Sequence, residues 1–394
     1  MMAGQGGVNQ TSSLGWIYVV VSDTRSPGPR QPVPSWLPGS AITVYGSLLI
    51  VVGVLLNATT LGSSLAAGKT STTPAVRRLL AANLAVVQLA AVVFVVLPGV
   101  VTEAVGHWTF GGRACRAWLL SQVLLIASAM WSVVGLDVHY VLSLAAPRRA
   151  YTILAERHPR CVAVVIIVSS WVVAGLATLP LGLAVGARQA GADSDNVPVL
   201  EDVCAVSLSR GDVIAQSLTA FLLPAVLGLT GSVAIMAMKA FKMIAVDRHD
   251  RGACSGPTAV VVVGFACVLL WSPFFAVYTM LPFCGDRLCI DPATWTLFAW
   301  IGHSTVVVAP AAWFIDPAMR ADVRHFIRLI RRQLRRCFRC CCGFRGNVTS
   351  SASSASDVVG NDESSGLMSV TKYQIHRPAQ QLHPDSPNIY NSPA

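Results

Sequence analysis

The sequence predicts an all-α membrane protein, a seven-transmembrane helix bundle with an amphipathic eighth helix on the inner leaflet. Three observations carry this reading. Hydrophobic residues fill 54% of the 394 positions and charged residues only 12%, too apolar a balance for a soluble chain of this length. Seven long stretches poor in charge recur along the chain, each close to the ~20 residues a helix needs to cross a bilayer. The stretch after the seventh instead mixes arginine with apolar residues at helical spacing, the pattern of a helix lying on a membrane surface.

Taken in order, residues 1–38 are rich in Gly, Ser and Pro and lack the charged-then-apolar pattern of a cleaved signal. They are expected to be disordered outside the cell, with Asn9-Gln10-Thr11 fitting a glycosylation acceptor. The bundle is expected over 39–315. Its crossings run near Ala41 to Ala66, Val76 to Val101, Ala117 to Ala146, Cys161 to Val185, Val213 to Ala240, Thr258 to Phe283 and Thr294 to Ile315. Asn57 lies mid-membrane in the first crossing, and Asn83 and Gln88 in the second. Amides in hydrocarbon need partners, so these are expected to share one polar core. Pro98, Pro180, Pro224, Pro273 and Pro310 place a proline in five crossings, which means bent helices whose freed carbonyls need neighbours.

The third crossing carries one acid, Asp137, expected to bond a neighbouring helix or meet Arg149 at the interface. His139, two residues on, points to a different helical face, so the two make no catalytic pair and no enzyme is expected. Nothing in the chain suggests a metal site or a cofactor. A transporter is disfavoured because no buried charge pair or inverted repeat stands out.

Orientation follows from the loops. Lys69, Arg77, Arg78, Arg148, Arg149, Arg157, Arg160, Lys239, Lys242, Arg248 and Arg251 fall on one side, which the positive-inside rule makes cytoplasmic. The chain is therefore expected to be a multi-pass plasma-membrane protein with its N-terminus outside. The net charge of +10 is concentrated after the last crossing, where Arg320 to Arg345 holds nine arginines against one acid, Asp322. Anionic lipid accounts for that charge, and no reading motif for nucleic acid accompanies it.

Residues 316–342 are expected to form the amphipathic helix, with Met319, Val323, Phe326, Ile327, Ile330 and Leu334 on its apolar face. Cys337, Cys340, Cys341 and Cys342 follow as a palmitoylation cluster that would complete a two-signal anchor. A redox or metal cluster is the alternative, without histidine or acid partners at ligand spacing. Residues 343–394 read as a disordered cytoplasmic tail whose serines lie beside Asp357, Asp362 and Glu363, either a phosphorylated docking tail or a plain solvated one.

These residues resemble the rhodopsin-like family of G-protein-coupled receptors. The resemblance rests on Asn57, on Trp108-Thr109-Phe110-Gly111 before Cys115, on Trp171 and Pro224, on Trp271-Ser272-Pro273, and on Pro310, all in order over about 40–342. It pairs Cys115 with Cys204 in a disulfide; Cys284 and Cys289, five apart in the third outer loop, are spaced for a second short bridge or stand free. It implies a ligand pocket lined by Gln122, Gln216, Phe274, Phe275, Tyr278 and His303. The positions it makes activation switches are Trp271, Pro273, Asp137, His139, Tyr140, Pro310 and Trp313.

The chain also departs from the family pattern. Gln88 replaces an aspartate, and Ala309-Pro310-Ala311-Ala312-Trp313 replaces an Asn-Pro-x-x-Tyr motif, so no sodium site is expected. His139-Tyr140-Val141 stands in the register of Asp-Arg-Tyr, and Ser232 where the fifth crossing usually has tyrosine. Short outer pieces, among them Val96-Leu97-Pro98 and Trp271-Ser272-Pro273-Phe274-Phe275, look similar to vasopressin and oxytocin-type peptide receptors.

The resemblance therefore implies a cell-surface receptor for a peptide or other non-amine ligand, with a heterotrimeric G protein or arrestin as partner and atypical inner switches. The alternative is a receptor-like protein that does not couple to G proteins, a decoy, scavenger or modulator of another receptor.

Overall fold

The computed structural model describes residues 18–21, 39–66, 73–145, 150–191, 204–208, 210–245, 256–280, 283 and 292–342. Among them seven helices are long and apolar enough to cross a membrane: Gly39–Ala66, Ala75–Val105, Gly111–Ala145, Pro159–Leu183, Arg210–Phe241, Thr258–Met280 and Ala293–Trp313. They are the first to seventh crossings below, and the protein is a multi-pass membrane protein. A short helix, Ala150–Arg157, lies between the third and fourth crossings, and a long one, Pro317–Cys342, follows the seventh. Asn9, Cys284, Cys289 and the tail 343–394 lie outside the described residues.

Alongside the helices stands one two-stranded ribbon. Strand β1, Tyr18–Val21, pairs in parallel with β2, Ala205–Leu208, Tyr18 opposite Ala205 and Val21 opposite Leu208. The expected lack of structure over 1–38 therefore does not hold at these four residues. Tyr-Val-Val-Val is a run of strong strand formers that the Gly, Ser and Pro around it outweigh in a composition count.

Leu55, Leu65, Val165, Leu176 and Leu269 stand exposed on the outside of the bundle, as lipid-facing side chains must, while Asn57, Ser63, Gln88 and Ser128 are buried inside it.

The prolines set the detail. A proline gives no N–H to the carbonyl four residues back. In the second crossing the helix widens to i to i−5 bonding over Val92–Val96, just ahead of Pro98, and in the fifth over Leu218–Leu222, just ahead of Pro224. In each case a tryptophan of the third crossing donates to a carbonyl of the widened turn: Trp118 Nε1 to Val95 O (3.0 Å) and Trp131 Nε1 to Thr219 O (3.3 Å), the latter five residues before Pro224. In the seventh crossing Pro310 frees Val306 O, and Asn57 Nδ2 of the first crossing donates to it at 2.8 Å, with a second bond to Gly53 O.

Asn83 has other company. Its Nδ2 donates to Ser132 Oγ (3.0 Å), and its Oδ1 accepts from Trp171 Nε1 (3.0 Å), tying the second, third and fourth crossings. The expected single polar core is thus two separate ones. Each amide found the partner its own helix face presents, Asn57 the seventh crossing and Asn83 the third and fourth.

Exchange of Asn57 for leucine removes the donor to Val306 O, and the loss of that bond, about 1 kcal/mol, should lower the melting temperature of the detergent-solubilised protein by a few degrees. Adding Pro310→Ala to that variant restores a backbone N–H for Val306 O and should recover most of the loss. A deficit that Pro310→Ala leaves untouched would show that Asn57 acts only by packing.

Candidate ligand pocket and its connection to the opposite end

Cys204 and Cys115 are bridged, Cα to Cα 5.5 Å, which joins the segment carrying β2 to the start of the third crossing. The bridge marks one end of the bundle, called here the disulfide end.

In the half of the bundle toward that end, the fifth, sixth and seventh crossings bring most of the expected pocket residues together. Tyr278 Oη donates to Gln216 Oε1 at 2.6 Å, joining sixth crossing to fifth, and both side chains are buried. Below them Phe275 stacks on Phe221 at 4.4 Å, and Phe274 lies 4.8 Å from Trp295. Both phenylalanines meet Trp271 edge to face, at 5.7 and 6.3 Å, and His303 meets the same indole at 5.2 Å.

The spacing explains the cluster. Trp271, Phe274, Phe275 and Tyr278 fall at i, i+3, i+4 and i+7, one stripe of a helix. Room for the indole comes from Gly302, where a Cβ would sit 2.8 Å from Trp271 Cδ2. Pro273 is inside the sixth crossing between these rings.

Gln122 is buried on the third crossing but stands outside this chain of ring and hydrogen-bond contacts among the described residues. Phe221, Trp295 and Trp300 were not among the expected pocket residues. The signal for the two tryptophans was present in Trp295, Ala299, Trp300 and His303, which share one side of the seventh crossing. Phe221 had none, since it reaches Phe275 from within the widened turn ahead of Pro224.

At the opposite end the third crossing presents Asp137, His139 and Tyr140. Asp137 is 1% exposed and its carboxyl faces Gly228 and Gly231 of the fifth crossing, so it packs against a neighbouring helix; Arg149 lies outside the described residues. His139 Nδ1 is hydrogen-bonded to Tyr151 Oη of the short helix at 2.6 Å. Burial raises the Tyr151 phenol above its ordinary pKa, which keeps it an O–H group.

Tyr140 lies beneath an arginine from another helix, Arg77, whose guanidinium carbon is 6.0 Å from the ring centroid. Arg77 is only 5% exposed and forms an ion pair with Asp316, itself 1% exposed. Counted as a loop charge in the sequence, it is in fact part of a buried pair. Asp316 also caps the helix Pro317–Cys342: its Oδ1 accepts from Ala318 N at 3.1 Å, with Pro317 in the first helical position, where a missing N–H costs nothing.

Trp313 is fully buried one turn before this junction. Beyond it Met319 and Val323 are buried, Phe326 lies against Gly62 of the first crossing, and Ile327, Ile330 and Leu334 stay exposed on the long helix together with its arginines. Cys337 carries a free, exposed thiol.

The arrangement defines a class, a seven-helix membrane protein with a buried aromatic cluster under a disulfide-bridged end. The model of the 7 transmembrane receptor (rhodopsin family) matches residues 64–312, and the chain belongs to that family. This is a family of receptors, not of enzymes.

Among relatives, the chain is 26% identical over 290 residues to the D(1) dopamine receptor of Carassius auratus, covering 63% of this chain and 76% of the relative. It is 24% identical to the D(5)-like dopamine receptor of Takifugu rubripes, covering 61% and 56%. A 65-residue stretch is 32% identical to the octopamine receptor Oamb of Drosophila melanogaster, 16% of this chain and 10% of the relative. The chain thus spans about half to three quarters of the dopamine receptors it matches. These relatives do not support the expected likeness to vasopressin and oxytocin-type receptors.

Because removing one member of a buried ion pair strands the other, Arg77→Gln or Asp316→Asn should cost about 3–5 kcal/mol and sharply reduce the amount of protein at the cell surface. The exchange Arg77→Asp with Asp316→Arg should regain part of that loss, measured by surface labelling. Equal expression of the two single variants and the unaltered chain would mean the pair is not formed in the membrane.

Proposed function

We propose that this protein is a plasma-membrane receptor, N-terminus outside, that binds an extracellular ligand between the crossings near the disulfide end and passes the event to a heterotrimeric G protein or arrestin at the other. The observation that carries this reading is the unbroken run of contacts from Gln216 and Tyr278 through Phe274 and Phe275 to Trp271 beside Pro273. A ligand that shifts the upper rings must repack the indole lodged on Gly302. Pro273 offers a bend about which the inner part of the sixth crossing can reorient, a population shift between two packings.

The ligand is a peptide or another non-amine. The dopamine receptors among the relatives make a small amine the rival. On the third crossing, however, Gly111 to Met130 holds no carboxylate to neutralise an ammonium, and Gln122 supplies a neutral amide instead. Gln122, Gln216, Tyr278 and His303 provide the hydrogen-bonding groups, and the phenylalanines the apolar floor.

At the inner end, Tyr140 stands in the register where the family has an arginine, its ring against Arg77, whose guanidinium is held by Asp316. Thioester acylation at Cys337 and Cys340 to Cys342 would hold the long helix on the anionic leaflet.

Cells expressing the intact chain should show basal coupling in at least one G-protein class or in arrestin recruitment, and Trp271→Leu should lower it severalfold at equal surface expression. A chain present at the surface but silent in every channel, and still silent with Tyr140→Arg, would overturn the proposal of signalling.

A further inference from the structure

The long helix Pro317–Cys342 has two sides, and the packing of its first half decides where each side points. Met319 and Val323 are buried against the bundle, and Phe326 lies against Gly62 of the first crossing. Ile330 and Leu334 continue that stripe four and eight residues after Phe326. At 3.6 residues per turn these five side chains fall within roughly a quarter of the helix circumference. From Ile330 to Cys337 every residue is exposed, so this part of the helix has run past the packed crossings. Because Gly62 belongs to a membrane crossing, the stripe faces the bundle first and the lipid leaflet beyond it.

The other side is arginine. Arg324, Arg328, Arg331, Arg332, Arg335 and Arg336 are all exposed, and their mean direction lies roughly 160° from the stripe. None of the six makes an ion pair among the described residues, and no acidic residue occurs between Asp322 and Cys342. Arg328 Nε turns back to Arg324 O of its own helix, at 3.3 Å.

The spacing sets like charges side by side. Arg324 and Arg328, Arg328 and Arg332, Arg331 and Arg335, and Arg332 and Arg336 each stand four apart, where like charges repel along a helix. Lipid phosphate can relieve that repulsion at the edges of the face. With the stripe held on the bundle and the leaflet, the centre of the face looks away from the membrane, into the cytosol in the orientation proposed above. Whatever neutralises it there comes from the aqueous side and carries several negative charges.

We propose that this arginine ridge is a docking surface for an acidic, carboxylate-rich segment of a cytosolic protein, lying along the helix and pairing with successive guanidinium groups. Each guanidinium is a planar fork that takes a carboxylate through two parallel hydrogen bonds. The ridge from Arg324 to Arg336 runs about 18 Å at 1.5 Å per residue, which an extended chain covers in about six residues. The surface lies at the opposite end of the bundle from the aromatic pocket, so its occupant is a partner additional to the ligand.

The full-length chain is reconstituted in nanodiscs of neutral phosphatidylcholine at physiological salt. It is titrated with a fluorescent octa-glutamate peptide, long enough to span the ridge, and with octa-glutamine as control, both read by anisotropy. Nanodiscs leave both faces open, so the result does not depend on orientation in the cell. Octa-glutamate should bind and octa-glutamine should not. The triple exchange Arg328→Gln, Arg331→Gln and Arg335→Gln should weaken binding about tenfold, since each exposed pair contributes little alone. Lysine at the same three positions should restore part of the loss. Arg157→Gln with Arg160→Gln, exposed arginines outside this helix, should leave binding unchanged. Nanodiscs rich in phosphatidylserine should still bind octa-glutamate.

Loss of binding on phosphatidylserine nanodiscs as complete as in the triple variant would assign the ridge to the leaflet and overturn the proposal. An equal loss in the Arg157 and Arg160 variant would overturn it too, as general attraction to a basic chain, and so would failure of octa-glutamate to bind. None of these readouts involves the aromatic pocket or basal coupling, so failure here is distinguishable from failure of the receptor reading.

Discussion

The constraint on which the rest of the structure depends is the carbonyl that each proline leaves open inside hydrocarbon. Solvent is scarce at that depth, and at the prolines of the fifth and seventh crossings a side chain from another crossing supplies the missing N–H. Asn57 of the first crossing does this for Pro310 of the seventh, and Trp131 of the third does it at Thr219 O, five residues before Pro224 in the widened turn of the fifth, while Trp118 of the third reaches Val95 O in the widened turn of the second. The bends that make the bundle non-ideal are therefore also what cross-link it. The third crossing serves two bent neighbours at once and carries the disulfide at its start, which makes it the strut against which the others are registered.

That economy shapes the two ends differently. Toward the disulfide end the sixth crossing carries a stripe of aromatic side chains, and packing there is nearly all ring on ring, with Gly302 as the socket for Trp271. Such contacts are directional but soft, and they can be exchanged in sets. At the other end the contacts are charged and few. Asp316 both caps the long helix and pairs with Arg77, so the start of the second crossing and the start of that helix share one carboxylate. Movement of either helix is felt at the other through a group that cannot be left alone in an apolar setting.

How much of this could be read from the residues follows from range. Crossing length and order are local properties of charge-free runs, so all seven were legible, and the switch to arginine-rich helical spacing marked the long helix. Stripes on one helix were legible too, which is why Trp271, Phe274, Phe275 and Tyr278 are found together.

What depended on the rotation of a second helix was not. Asn57 and Asn83 were read as one core because both lie mid-membrane, yet their helices turn them to different neighbours. Arg77 was read as a loop charge because its partner, Asp316, lies far along the chain and a charge tally cannot see a pair. Phe221 enters the aromatic cluster only through a widened turn, a geometry that no periodicity announces.

The parallel pairing of β1 with β2 also sets an order of assembly. The strand Tyr18–Val21 is synthesised before four crossings have been made, and its partner Ala205–Leu208 comes only after the fourth. Parallel strands so distant in sequence close a large loop, a slow step that cannot begin until the intervening helices are inserted. The ribbon, and the bridge from Cys204 beside it, therefore form on a bundle already half built, as a late seal on the disulfide end.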